Sequence, residues 1–356
     1  MQEIAPLEGL RILDFSRLLP GPLGTHFLSD MGAEVVKVEH PQRMDYTRYY
    51  EPKREGNSVM FHLMNHNKES LIVDYTTKAG KDTIMDEIKK ADVLIEQFRP
   101  GAMARFGFSF EEVKRINPKI VYISITGYGQ QGKKADKAGH DINYMATAGL
   151  LDLNRDEKGK PVIPGFQVAD IAGGSYMLLA ACTSGVLAQQ RHQKAQFIDL
   201  ALADATLPLA SIAQGMQQGG IPYAKMPLLS GLLVNYNVYE CADNKWIALG
   251  ALELKFWNAF CELVGQPDWK AKSDQELIVG VFDKSKVTAL FRTKTQAEWV
   301  ALTEAHDVCL SPILTQAEVI AYQDRMERDS FAEISVGPHK MHPYKIPFKT
   351  YMAEDS

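Results

Sequence analysis

Short β-branched and aliphatic runs alternate with amphipathic stretches through the first two hundred residues. The runs Leu10–Phe15, Glu34–Val38, Leu71–Asp74, Asp92–Ile95 and Ile120–Ile125 predict strands. Strands alternating with helices predict a parallel sheet covered on both faces, a Rossmann-like α/β arrangement. Pro20-Gly21-Pro22 reads as the turn before a helix over about Gly24–Met31, with Gly32 as its left-handed cap. Ile171–Gln190 is apolar and rich in small residues, and predicts a long buried helix starting just after Asp170. Its length approaches that of a membrane span, but Asp170, Gly173, Gly174 and Ser175 argue against insertion, so no membrane partner is expected.

The pattern changes between Gln214 and Gly231, where Gly219-Gly220, Pro222 and Pro227 predict a linker. Beyond it, Val234–Cys241 and Lys245–Gly250 flank Ala242-Asp243-Asn244 as a hairpin. Helices are expected over about Glu253–Val264 and Lys284–Arg292, and capping boxes at Thr295/Glu298 and Thr315/Glu318 start two more. The expected organisation is a large α/β domain over 1–215 completed by 315–356, a linker over 216–232, and a small α+β domain over 233–310.

Composition narrows the function classes. A chain of 356 residues with 46% hydrophobic and 23% charged residues can bury a sizeable core, and its net charge of −5 offers no basic face for nucleic acid. Cys182, Cys241, Cys261 and Cys309 form no CxxC pair and no zinc spacing, so they read as buried apolar residues in a reducing compartment, with no metal site. The opening MQEIAPLEGL lacks a signal-peptide pattern and the closing AEDS is no peroxisomal address, so a cytoplasmic location is expected.

Gly127-Tyr128-Gly129-Gln130-Gln131-Gly132 formally matches GxGxxG after a predicted strand. The charged loop Lys133–Gly139 follows it instead of an apolar helix, which speaks against a dinucleotide site. GxSxG, HExxH and P-loop motifs are absent from the sequence. Acid–base chemistry points to Gly139-His140-Asp141-Ile142-Asn143-Tyr144 and to Val168–Ser175 around Asp170. Taken alone, Asp170 reads as a helix N-cap and His140 as a hydrogen-bonded loop residue. A carboxylate entering a glycine-rich helix also faces backbone N–H groups able to hold a developing oxyanion, and the N–H of Asp170 or Ile171 is the expected donor.

Several blocks in order carry a resemblance: Leu7–Ser16 (LEGLRILDFS) followed by Gly21-Pro22, Asp30–Glu39 (DMGAEVVKVE), Asn67–Asp74 (NKESLIVD), Asp92–Gly101 (DVLIEQFRPG) and Ile123–Gly132. Together they resemble the class III CoA-transferase superfamily over nearly the whole chain. Its formyl-CoA transferase-like members use an aspartate nucleophile at the position matching Asp170. Its α-methylacyl-CoA racemases keep that aspartate and add the histidine of a Gly-His-Asp-Ile-Asn-Tyr motif, present here as Gly139–Tyr144. The chain is most similar to the racemases.

The resemblance implies racemisation beside a CoA thioester, with His140 and Asp170 as the two acid/base groups. Glu253 would orient the imidazole and Asp141 would support the site. CoA would lie against Lys37, Lys68, Arg99, Arg105, the Gly127-Tyr128-Gly129 turn and the 130s loop. No cofactor is implied, since CoA is part of the acyl-CoA substrate, and the partner is a second copy in an interlocked homodimer. The segment from about Pro41 to Met60 is idiosyncratic and is assigned to the CoA or acyl entrance. Where the family often writes Gly-Lys-Gly-Gln, this chain has Gln193-Lys194-Ala195-Gln196. The competing readings are a CoA-transferase using Asp170 as nucleophile, a silent CoA-binding protein and, last, a nicotinamide-dependent enzyme.

Overall fold

A computed structural model describes residues 2–156, 158–223, 228–279 and 282–353, so Pro227 of the expected linker and the final residues lie outside the described residues. The chain divides into two compact units, Met1–Asp152 with Asp156–Ala210 and Glu327–Ser356, and Leu153–Arg155 with Ser211–Met326.

In the first unit six strands form one sheet: β1 (Arg11–Asp14), β2 (Glu34–Glu39), β3 (Glu69–Ile72), β4 (Val93–Glu96), β5 (Val121–Thr126) and β6 (Gln196–Ala201). Every pairing is parallel, in the order β3-β2-β1-β4-β5-β6. The period of two sorts side chains between the faces. Ile12, Val35, Val93, Ile95, Val121 and Ile123 pack on one side with Leu28 and Leu178; Leu13, Val36, Leu94 and Tyr122 pack on the other with Ile84, Ile88 and Val113. Strands β4 and β5 are buried throughout, as a sheet covered on both faces requires.

The strand order reverses between β1 and β4, and in doubly wound sheets ligands settle beyond the strand ends at such a point. The helix following β1, α1, spans Pro20–Asp30 and thus begins four residues before its expected start. Pro20 stands at its N-terminus, where the missing N–H costs nothing. Helix α2 (Lys78–Lys90) covers the opposite face, with Thr77 as its cap.

The long apolar stretch differs from expectation. Ala169–Tyr176 forms a wide, π-type helical segment that runs into α3 (Met177–His192). Ala169–His192 is long and apolar enough, by length and composition, to cross a membrane. Only one side of α3 is buried, with Leu178 and Cys182 inside, while Met177 and Leu187 are more than 40% exposed. Gln193 then takes the left-handed conformation (φ +53°), which glycine adopts more readily.

In the second unit an antiparallel sheet, β7 (Tyr236–Glu240), β8 (Trp246–Gly250) and β9 (Leu310–Pro312), packs against helices around Trp257, Phe260, Phe291 and Trp299. Both expected capping boxes form. Helix Gln316–Arg325, expected with the large domain, lies in this unit instead, where Lys245 beside the hairpin pairs with Glu318 at 2.8 Å. The chain returns to the first unit only at Glu327, and the expected linker holds the end of helix Ser211–Gln218.

Candidate functional site

Beyond the C-terminal ends of β1, β4 and β5 lie two cavities of the first unit, about 340 Å³ and 250 Å³, sharing Arg17, Gln97, Phe98 and Arg99 as a common wall. The smaller holds His140 and Asp170, with Gly127, Lys137 and Tyr144 around them. The larger is lined by Arg43, Arg99 and Arg105 together with Tyr46, Tyr75, Phe98 and Phe106. Cations over aromatic walls suit a phosphorylated, ring-bearing ligand, and the four shared residues place the two cavities side by side.

His140 immediately precedes the helix Asp141–Thr147, and the neighbouring motif residues hold it. The Asn143 carboxamide accepts the His140 N–H at 3.0 Å, and the Tyr144 hydroxyl donates to the Gly139 carbonyl at 2.7 Å. A Cβ on Gly139 or Gly127 would fall within 2.7 Å of the Tyr144 ring or hydroxyl, so both positions need glycine. Burial pushes the Tyr144 hydroxyl up to about 12, which keeps it a proton donor to Gly139.

Asp170 sits in the first turn of the π-type segment rather than at its cap, which is Val168. Such widened turns concentrate at functional positions. Its backbone N–H is held by the Asp141 carboxylate at 2.9 Å, and the Ile171 N–H bonds the Gln167 carbonyl at 3.2 Å. Both N–H groups expected to serve as enolate donors are therefore already engaged. Burial raises the Asp170 carboxyl to about 6; the Asp141 charge adds to the rise and His140 opposes it.

Close packing sets the position of this turn. A Cβ on Gly174 would lie 2.7 Å from Cβ of Pro20 and 2.8 Å from the Leu202 side chain, and Ser175 donates to the Pro20 carbonyl at 2.8 Å. Gly174→Val is therefore expected to cost about 1–3 kcal/mol by overpacking and to slow turnover as Asp170 shifts. Calorimetry together with an activity assay checks this, and an unchanged melting temperature would deny the close approach its role.

The expected CoA cations separate into two groups. Arg99 and Arg105 line the larger cavity. Lys37 and Lys68 are buried and already partnered: Lys37 pairs with Asp45 at 3.0 Å, and Lys68 donates to the Pro22 carbonyl, Thr25 and Asn65. Burial brings Lys68 down to about 7 despite nearby Asp14. These two lysines brace the fold and line neither cavity. Lys137, from the 130s loop expected at the CoA site, stands in the wall of the smaller cavity, and Arg17 and Arg43, which sequence reasoning did not single out, stand in the cavity walls as well. Gly127 reaches the smaller cavity, Tyr128 packs edge-on against Tyr144, and Gly129 carries φ +83° in the turn. Glu253 belongs to the second unit, where it precedes the helix Leu254–Leu263 with an exposed side chain that makes no capping bond.

Residues 7–354 match the family model described as CoA-transferase family III. The chain belongs to this family. A human alpha-methylacyl-CoA racemase is 30% identical over 328 residues, 91% of this chain and 82% of that protein. A human succinyl-CoA:glutarate CoA-transferase is 31% identical over 354 residues, 95% of this chain and 80% of that protein. Among solved structures, a CAIB/BAIF family protein from Brucella suis superposes with a TM-score of 0.82 at 26% identity, covering 99% of this chain and 94% of that one. Identities near 30% to both a racemase and a transferase leave the reaction to be argued from side chains.

Proposed function

We propose that the protein is a cytoplasmic 2-methylacyl-CoA racemase that moves the proton on the carbon α to the thioester through an enolate. The observation carrying this reading is the presence of His140 and Asp170 in one cavity, beside a pocket whose arginines and aromatic rings suit the phosphates and adenine of CoA. Inverting a carbon centre needs one group to take a proton and another to return one on the opposite face. A carboxyl raised to about 6 exchanges a proton near neutral pH, and His140 in the same cavity offers the second acid–base group. Asp141 holds the Asp170 backbone. This chemistry calls for no metal or redox cofactor.

A second copy is proposed as the partner, in an interlocked homodimer. Met177, Leu187, Leu207 and Leu209 support it, since each leaves more than 40% of its surface exposed, which a second subunit would cover.

The alternative is transfer of CoA between carboxylates, favoured by the buried, raised Asp170: its carboxylate would attack the thioester carbonyl and expel CoA thiolate, leaving an acyl-aspartyl anhydride that the thiolate reopens at the aspartyl carbonyl, freeing the first carboxylic acid and leaving CoA on Asp170 for the second. Incubating the protein with (S)-2-methylacyl-CoA in deuterated water, without added carboxylic acid, separates the two. Racemisation gives α-deuterium incorporation and both epimers. A chain inert until a carboxylic acid is added, and then producing a new thioester, is a transferase.

A further inference from the structure

The wall shared by the two cavities contains a strained corner. Leu18 has φ +68°, a conformation that bulky residues avoid, and it lines the cavity of Asp170. The corner is held from the idiosyncratic loop after β2. Asp45, 2% exposed, accepts the Leu18 N–H at 3.1 Å on the oxygen that also takes the Thr47 N–H and hydroxyl. Its other oxygen meets Lys37, which donates to the Ser16 carbonyl at 2.9 Å. Both ends of the Ser16–Leu18 segment are thus tied to one buried ion pair. Between them Arg17 projects into the neck, its guanidinium 4.9 Å from the ring centre of Tyr46 and 5.8 Å from that of Phe98.

We propose that Asp45 is a positioning residue, whose buried carboxylate holds the left-handed Arg17–Leu18 corner and so fixes the neck through which a CoA thioester passes from the basic pocket to Asp170. This rests on reading the two cavities as one CoA cleft. Burial pushes the Asp45 carboxyl up, but Lys37 and the Thr47 donors outweigh it and hold the group below its usual value, so it remains an anion fit for this task.

The test is titration of CoA into the full chain by calorimetry, with melting temperature recorded for each variant. Asp45→Asn is expected to weaken CoA at least about tenfold, the loss of a charge-assisted hydrogen bond to the corner. Adding Leu18→Gly should restore part of that loss, because glycine takes the left-handed turn unaided. A purely structural Asp45 would lower the melting temperature with no such rescue. Should Asp45→Asn fail to fold, Leu18→Val decides: its branched side chain resists φ +68°, so it should weaken CoA more than Leu18→Gly does. Wild type that binds no CoA overturns the cleft reading and this proposal together. Wild type that binds CoA while Asp45→Asn binds within twofold, or Leu18→Val binds as Leu18→Gly, overturns the positioning role alone.

Discussion

Asp170→Asn is expected to lower α-deuterium exchange by about 10³-fold or more, the upper part of what a positioned acid–base group supplies. Asparagine preserves size and its backbone bond to Asp141, but it can neither take a proton near neutral pH nor form an anhydride. Racemisation and transfer therefore both fail in this variant, and its companion His140→Ala separates them. Under the racemase reading, His140→Ala loses exchange to a similar degree, because one face of the enolate has no proton donor. Under the transferase reading, CoA transfer persists in His140→Ala, since the nucleophile and its buried turn are intact. Single-turnover measurements with (R)- and (S)-substrates sharpen the result: removing one acid–base partner should suppress exchange from one enantiomer more than from the other. Equal residual activity in both variants, near wild type, would remove the acid–base assignment.

The parallel sheet was legible because its strands are buried on both faces and read as aliphatic runs; the expected Asp92–Ile95 and Ile120–Ile125 lie within one residue of β4 and β5. The His140 motif was legible as a pattern, and its internal logic became clear only with Asn143 and Tyr144 folded back onto Gly139 and His140. What escaped was tertiary. A lysine's sequence neighbours do not reveal that Asp45 will meet Lys37, or that Lys68 will be spent on Pro22, Thr25 and Asn65. Arg17 and Arg43 were illegible for the converse reason: each stands in an unremarkable local context and becomes part of a ligand wall only when β1, β2 and β4 are laid side by side. The break in helical period at Asp170 also leaves no composition signal, because a π-type turn reflects how Gly173 and Gly174 press against Leu202 and Pro20.

The pH dependence should show the same carboxyl in both catalysis and stability. With Asp170 as the base at about 6, kcat/KM for the enantiomer it deprotonates should fall about tenfold per pH unit below pH 6. Asp141→Asn keeps an oxygen acceptor for the Asp170 N–H and removes a neighbouring negative charge, so this limb should move to lower pH. His140→Ala removes the group that holds the carboxyl down, so any residual limb should move up. Stability runs the other way. An acid whose folded pKa lies above its unfolded value binds its proton more tightly in the folded state, near 6 against an ordinary 3.8. The stabilisation from that proton is complete below about pH 4 and is lost as pH rises through 6. Wild type should therefore lose melting temperature relative to Asp170→Asn between pH 4 and 7, and the two curves should converge in acid. A constant offset across that range would mean that Asp170 titrates at its ordinary value, and the acid limb of the rate profile would then belong to another group.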